Sequence, residues 1–405
     1  MLARERQGPL DGLRVIDMSG MISGGFATTM MGDFGADVVM IEHPEVGDPI
    51  REWAQKTEDD ISLSWKSLGR NKRCVTLDLS SERGRKLALE LVEDADVAFE
   101  NFRPGTMENW GLGPDDLMEA NPEIIMVRLS GYGQTGPKSQ KPGFGTIAEG
   151  ISGWANANGF PDRDPLLPPI SLADLTAAQF ATQATLMAIY ERELSRGGSS
   201  KGQVIDVSLI EPLWRLFFGD VEAYDEFEHV QNRTGNRHPN TAPRNIYETA
   251  DGYMTMSASN QRIFERVAKA IDKPELIEDS RFTDNSARVE NVEALDEEIE
   301  EWTEQHTTAE AIEILEEFDA IVGPVNNMAD IFEDEQYRAR DAIVEVDDPD
   351  VGSLRTFATI PKFSRTPGEV EFLGPRHGEH NNEVFLEELG LDREEFEELN
   401  AEGII

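Results

Sequence analysis

Cysteine is almost absent from this chain of 405 residues, which contains only Cys74. A single cysteine excludes an internal disulfide and is typical of a reducing cytoplasm, so we predict a cytoplasmic protein. Long apolar segments are also missing, since no run of about 18 apolar residues occurs and the N-terminus lacks a signal-peptide core. The six histidines show no metal-ligand spacing. We therefore predict neither a membrane partner nor a metal site.

Basic charge is the second shortage. The chain has 79 acidic and 37 basic residues, a formal net charge of −42. Nucleic acid is excluded as a partner, because its phosphates require a basic face. So negative a surface repels itself unless salt screens it, and the Debye length falls to about 3 Å at 1 M. The composition therefore predicts a halophilic protein rather than an ordinary acidic one.

Fingerprints for common nucleotide cofactors are incomplete. The first strand–helix turn has Gly20 and Gly25, but Ile22 stands where a dinucleotide site needs its second glycine. No P-loop and no Gly-x-Ser-x-Gly turn occurs, which disfavours ATP-driven ligation and serine hydrolase chemistry. We therefore predict no tightly bound cofactor.

Short β-rich runs alternate with helical patterns. This alternation predicts an α/β fold in which a parallel sheet is joined by right-handed crossovers. The predicted strands are "LRVIDMS", "DVVMIEHP", "CVTLDLS", "DVAFENF", "PEIIMVRLSGYG" and the start of "QVIDVSLIEP". We expect a large Rossmann-like domain over 1–224, a smaller α+β domain over 225–325, and a C-terminal segment, 326–405, that returns to the large domain.

One carboxylate attracts attention in "PPISLADLTAA", residues 168–178. Asp174 opens a predicted helix that runs to about residue 194, and two interpretations compete. It could cap the helix by accepting a hydrogen bond from a backbone N–H. It could instead be a nucleophile, since no other residue type in the chain is better arranged for covalent catalysis.

The chain resembles the class III CoA-transferase family, which includes formyl-CoA:oxalate and carnitine CoA-transferases. The resemblance spans nearly the whole chain in family order. Its matching stretches are "PLDGLRVIDMS", "MMGDFGADVVMIEHPEVGDPIR", "NKRCVTLDL", "ADVAFENFRPG", "RLSGYGQTGP", "ISLADLTAA", "GNRHPNTAPRNIYETADG", "GPVNN" and "FSRTPGEVEFLGPRHGEHNNEV".

The resemblance implies an enzyme in which Asp174 is the nucleophile and a CoA thioester is the co-substrate. Acyl transfer would pass through an aspartyl anhydride and an aspartyl-CoA thioester, which divides one difficult exchange into easier steps. The resemblance also implies an interlocked homodimer. Contacts to CoA would come from Met21, Ile22, Ser23, His43, Leu77, Asp78, Leu79, Ser80, Asn101, Phe102 and Arg103.

Several of these positions depart from the family pattern. His43 stands where some relatives have arginine, and Ser80 and Asn109 stand where some have a basic residue. If these residues do not hold the CoA phosphates, backbone N–H groups and Arg103 must do so.

The substrates are the least defined part of the prediction. Arg244 could bind a carboxylate bidentately, and Arg237 and His238 could bind a second one, which would suit dicarboxylic acids. Loop arginines paired with surface acids are the alternative. Taken with the acidic composition, the resemblance implies succinyl-CoA as donor and mesaconate or a similar five-carbon dicarboxylate as acceptor, as in the methylaspartate cycle of haloarchaea.

Two other functions remain open. The racemases of the same superfamily need a histidine and an aspartate where this chain has Phe144 and Gly145, so a 2-methylacyl-CoA racemase or isomerase would lack one of its two bases. The other alternative is a non-catalytic homologue that binds acyl-CoA.

Overall fold

A computed structural model describes residues 8–53, 55–193 and 200–405. The chain forms two compact units, one built from the segments up to 154, 168–221 and 337–405, the other from 155–167 and 222–336. Within the described ranges, no helix combines the length and the apolar character that a membrane crossing requires. The predicted domain limits at 224 and 325 remain predictions.

The first unit is built on a six-stranded sheet in which every strand pair is parallel. The order β3-β2-β1-β4-β5-β6 is that of the Rossmann fold. The α/β fold predicted from the sequence is confirmed. The strands are β1 (Arg14–Asp17), β2 (Asp37–Glu42), β3 (Lys72–Thr76), β4 (Val97–Glu100), β5 (Ile125–Ser130) and β6 (Gln203–Ser208).

These strands form because their apolar residues are buried on both faces of the sheet. Neighbouring residues point to opposite faces, so Val15 packs into one core cluster and Ile16 into the other. Phe385 and Leu399, from the C-terminal segment, pack on the Ile16 side. The C-terminal residues therefore complete the core of this unit.

Helices cover both faces of the sheet and fill the second unit. The α-helices are α1 (Ser23–Gly32), α2 (Leu63–Leu68), α3 (Glu82–Glu93), α4 (Thr106–Trp110), α5 (Pro114–Ala120), α6 (Gly145–Ile151), α7 (Trp154–Ala157), α8 (Leu172–Glu193), α9 (Ile210–Trp214), α10 (Asp220–Phe227), α11 (Gln261–Ala270), α12 (Asn285–Glu290), α13 (Val292–Thr303), α14 (Thr308–Glu317), α15 (Met328–Glu333), α16 (Glu335–Ala339) and α17 (Arg393–Ala401). Short 3₁₀ turns cover Pro49–Glu52 and Pro274–Ile277, and a π-helix covers Asn382–Glu388.

The second unit contains an antiparallel sheet with its own core. Its strands are β7 (Arg244–Glu248), β8 (Tyr253–Ser257) and β9 (Val322–Pro324), with β8 in the centre. A separate hairpin, β10 (Ile343–Asp348) with β11 (Gly352–Phe357), belongs to the first unit.

Candidate active site

A cavity of about 540 Å³ opens at the carboxyl edge of the parallel sheet. Open α/β sheets bind ligands at this edge, beside the point where the strand order reverses, here between β1 and β4. Loops that follow all six strands contribute to its wall. Its lining includes Gly20, Met21, Ser23, Glu42, His43, Asp48, Leu77, Asp78, Leu79, Ser80, Asn101, Phe102, Trp110, Ser130, Gly131, Gly143, Phe144, Asp174 and Leu209.

Asp174 reaches this cavity from the first turn of α8. The helix begins at Leu172, and the carbonyl oxygen of Ser171 already accepts a hydrogen bond from Leu175 N at 3.0 Å. Asp174 is therefore inside the helix, and the interpretation that it is the N-cap is wrong. Residues on both sides of it anchor this turn, since Ala173, Ala177 and Ala178 are fully buried in the core cluster that contains Val15.

The surroundings of Asp174 make its carboxyl group more basic than usual. Burial raises its pKa from 3.8 to about 6, and the negative charge of Glu149 adds to the increase. A hydrogen bond from its own backbone N–H acts in the opposite direction. Near neutral pH the side chain is still mostly ionised, so a basic carboxylate is available at the cavity wall.

Glycines allow the chain to approach this carboxylate closely. A Cβ atom on Gly145 would overlap Asp174 Oδ2 and lie 3.1 Å from its Cγ. Behind it, a Cβ on Gly131 would lie 2.8 Å from Gly143 Cα, because the two backbones pass in contact. Side chains at these three positions would displace the loop or the carboxylate.

The loop after β1 is held by side chains from the loops that follow β4 and β2. Asn101 accepts from Gly20 N at 3.0 Å and donates to Gly20 O at 2.6 Å. Asp48 accepts from Met21 N at 2.9 Å, and Met21 has a left-handed backbone with φ of 62°. The amide of Asn101 is thus engaged in shaping the loop.

A buried carboxylate at the end of β1 supports the same loop. Asp17 Oδ1 accepts from Ser19 N and from Ser19 Oγ, and its Oδ2 accepts from Thr28 Oγ1 and from Lys72 Nζ at 3.3 Å. Both members of the Asp17–Lys72 pair are fully buried. The ammonium group of Lys72 is therefore engaged in an internal ion pair.

The charge of the cavity is unfavourable for a polyanion. Among the described residues that line it there is no lysine or arginine, and His43 is the one histidine. Glu42 is neutralised by Arg51, with Nε to Oε2 at 2.7 Å. Asp78 and Asp48 add negative charge to the wall.

The residues expected to contact CoA divide into two groups. Met21, Ser23, His43, Leu77, Asp78, Leu79, Ser80, Asn101 and Phe102 line the cavity together with Asp174. Ile22 instead packs beside Trp65 and Cys74, and Arg103 is exposed next to the cavity lining. Their binding role remains a prediction.

The three expected substrate residues lie in the other unit. Arg237 is held by an ion pair to Asp296, with Nε to Oδ2 at 2.7 Å. Partial burial and the charge of Arg244 lower the pKa of His238. Arg244 itself is exposed on β7.

Sequence reasoning missed Ser130 and Glu149. Ser130 ends β5 in the cavity wall, and its Oγ is buried without a hydrogen-bond partner among the described residues. Glu149 is on α6, far from Asp174 along the chain. A buried acid in "IAEGI" gives no local signal of its partner.

Comparison with known proteins decides the family. The model of CoA-transferase family III matches residues 10–381. The chain belongs to this family and is a CoA-transferase. It is 39% identical to the succinyl-CoA–D-citramalate CoA-transferase of Chloroflexus aurantiacus, covering 98% of each chain. It is 30% identical to human succinyl-CoA:glutarate CoA-transferase, covering 98% of this chain and 90% of the relative.

Solved structures agree with the family assignment. A CaiB/BaiF family protein from Brucella suis matches this CoA-transferase with a TM-score of 0.83 at 31% identity, covering 94% of this chain and all of the other. A Mycobacterium tuberculosis protein matches with a TM-score of 0.80 at 28% identity, covering 92% and 98% of the two chains. The fold is that of the family along nearly the whole chain.

Proposed function

We propose that this CoA-transferase moves CoA from succinyl-CoA to a small dicarboxylic acid, with Asp174 as the nucleophile. The observation that carries the proposal is the basic, half-buried Asp174 carboxylate in the wall of the cavity. Carboxylates with a raised pKa in clefts are typical of catalytic groups.

The chemistry needs no external energy, because one thioester replaces another. An Asp174 oxygen attacks the thioester carbonyl carbon, the C–S bond breaks, and the electron pair leaves on the CoA sulfur. The thiolate then attacks the Asp174 carbonyl carbon, which releases succinate and leaves an aspartyl-CoA thioester. The acceptor carboxylate repeats these steps in reverse order and regenerates the Asp174 carboxylate. Burial protects the anhydride and the thioester from water.

Binding of CoA is assigned to the loops after the first four strands. Met21, Ile22, Ser23 and His43 would contact one part of the nucleotide. Leu77, Asp78, Leu79, Ser80, Asn101, Phe102 and Arg103 would contact the rest. Since no lysine or arginine lines the cavity among the described residues, backbone N–H groups and Arg103, which follows Phe102 of the lining, would hold the phosphates.

The acceptor is proposed to be mesaconate or a related five-carbon dicarboxylate. Relatives named for citramalate, malate and glutarate support a dicarboxylic acid and succinyl-CoA as donor. Arg244 is an exposed cation in the second unit and a candidate for one carboxylate, whereas the Arg237 pair to Asp296 supports a structural role for Arg237. We assign the enzyme to a salt-rich cytoplasm because of its net charge of −42.

A homodimer is proposed as the functional form. The outer face of α8 exposes Met187 and Tyr190, and the segment that follows α9 exposes Phe218 at 85%. Apolar surface of this kind is typical of protein interfaces. A native mass of one chain in molar KCl would contradict the dimer.

Trapping of the acyl-enzyme tests the function. The protein is incubated with succinyl-CoA and treated with hydroxylamine, and its peptides are analysed by mass spectrometry. We expect a hydroxamate on Asp174, and none in Asp174→Asn. Modification elsewhere, or no modification while labelled succinate still exchanges into succinyl-CoA, would reject the assignment. A panel of mesaconate, methylsuccinate, itaconate, citramalate and oxalate identifies the acceptor.

A further inference from the structure

Glu149 is a buried acid that the proposed reaction does not yet use. Its side chain is 3% exposed, and Oε1 accepts a hydrogen bond from Ala173 N at 3.3 Å. Ala173 immediately precedes Asp174 at the start of α8. One helical turn before Glu149 in α6, Gly145 contacts the Asp174 carboxylate. The two acids therefore share one buried region.

Neither acid is paired with a cation in the part of the chain that the structure describes. Among the described residues, no lysine, arginine or histidine forms an ion pair with Glu149 or Asp174, and these two carboxylates repel each other. On the packed elements, Glu211 of α9 is exposed and bonded to Ser208 Oγ at 2.7 Å. Arg128 of β5 is committed to Glu100 and Glu108. Glu149 is thus the charge that acts on Asp174.

We propose that Glu149 is a positioning residue that fixes the start of α8 and, as a buried anion, makes Asp174 a stronger nucleophile. This inference rests on the proposed role of Asp174. When an Asp174 oxygen bonds to the acyl carbon, the C–S bond breaks and the negative charge leaves on sulfur. The repulsion between two neighbouring carboxylates is then relieved, so the acylated state gains relative to the free carboxylate.

The variant Glu149→Gln tests this with little change of shape. Its amide oxygen can still accept from Ala173 N, but the charge is gone. Without the repulsion Asp174 loses its proton at lower pH. The acid limb of the pH profile of kcat/KM should therefore shift to lower pH by about one unit. We also expect kcat near neutral pH to fall several-fold. Glu211→Gln, which changes an exposed acid, is the matched control and should leave the acid limb of the pH profile in place. A shift in Glu149→Gln alone cannot come from titration of a CoA phosphate, because that phosphate is present with both variants.

Each outcome decides the inference. An unshifted limb in Glu149→Gln, with normal trapping at Asp174 in the unchanged enzyme, would overturn it and leave the proposed function standing. Failure to trap Asp174 in the unchanged enzyme would reject the proposed function instead. Removal of a repulsive buried charge should not lower the melting temperature. A Glu149→Gln protein that fails to fold would therefore show a purely structural role and would also overturn the inference.

Discussion

Replacing Asp174 by asparagine should make the protein inactive and more stable at the same time. A structural acid would give the opposite result for stability. The reason lies in the raised pKa of Asp174, which burial and Glu149 cause together. A carboxylate that is harder to ionise in the folded chain than in the unfolded chain destabilises the fold wherever it is charged. Asparagine occupies nearly the same volume without the charge.

The size of the effect follows from the pKa. In the folded chain it is about 6, against 3.8 as the ordinary value. The folded state therefore holds its proton to higher pH, and stability falls as the pH rises through the window between the two values. Asp174→Asn avoids this loss. Its gain should be about 3 kcal/mol near pH 8 and about 1.6 kcal/mol near pH 5, since one pKa unit corresponds to about 1.4 kcal/mol.

Calorimetry in a constant KCl concentration measures this difference. For a chain of 405 residues, about 3 kcal/mol corresponds to a rise of about 3 to 4 °C in melting temperature. Exposed Glu297 of α13 offers a control in the other unit. Glu297→Gln also removes one acid, and should give no gain of this size at either pH. Exchange of labelled succinate into succinyl-CoA should be undetectable in Asp174→Asn and retained in Glu297→Gln.

Two results would contradict the reasoning. A lower melting temperature for Asp174→Asn near pH 8 would mean that the carboxylate stabilises the start of α8. A gain of equal size near pH 5 and pH 8 would mean that no raised pKa is involved. The two side chains would then differ only in the cost of removing their polar groups from water.

Three further predictions concern the glycine contact, the phosphates and salt. Gly145→Ala should lower kcat by about a hundredfold or more, because the added methyl group overlaps the Asp174 carboxylate. Gly150→Ala is the control on the same helix, since a Cβ there meets no atom within 4 Å, and its kcat should stay within about twofold. Equal effects of the two variants would contradict the contact. Arg103→Ala should raise the KM for succinyl-CoA about tenfold with little change in kcat. Arg262→Ala, which also removes an exposed arginine, is the control and should leave the KM unchanged. An unchanged KM in Arg103→Ala would remove Arg103 from the phosphate site. Raising KCl from about 0.1 to about 2 M should raise the melting temperature, since screening relieves the repulsion among the acidic side chains, and a falling value would contradict the halophilic assignment.

The strands of the parallel sheet could be predicted because burial on both faces leaves continuous apolar runs. Val38, Val39, Met40 and Ile41 are all buried, and the sequence reads as an unbroken β-rich segment there. Helix ends are harder to predict. The sequence predicts that the helix begins at about Asp174, whereas α8 begins at Leu172, directly after Ser171. Serine and aspartate are both common N-caps, so composition alone does not choose between them.

The partners of the candidate nucleophile could not be predicted. Gly145 and Glu149 approach Asp174 from a different helix, and only tertiary packing brings them together. The same is true of Asn101, whose amide holds the backbone of Gly20 across the sheet edge. Local patterns specify strands and helices, whereas contacts between distant segments depend on how these elements are arranged.

Ion pairs at the strand ends explain how so acidic a chain folds at the edge of the sheet that carries the cavity. Lys72 neutralises Asp17, Arg51 neutralises Glu42, and Arg128 bridges Glu100 to Glu108. Each cation stabilises a buried or half-buried acid at the end of a strand, and so these cations are not free to attract CoA. If CoA binds here as proposed, backbone donors and dissolved salt would offset the repulsion between this acidic cavity and the polyanionic substrate. The burial that keeps water from the acyl intermediates also raises the basicity of Asp174, so one arrangement of α6 and α8 supplies both requirements of the proposed chemistry.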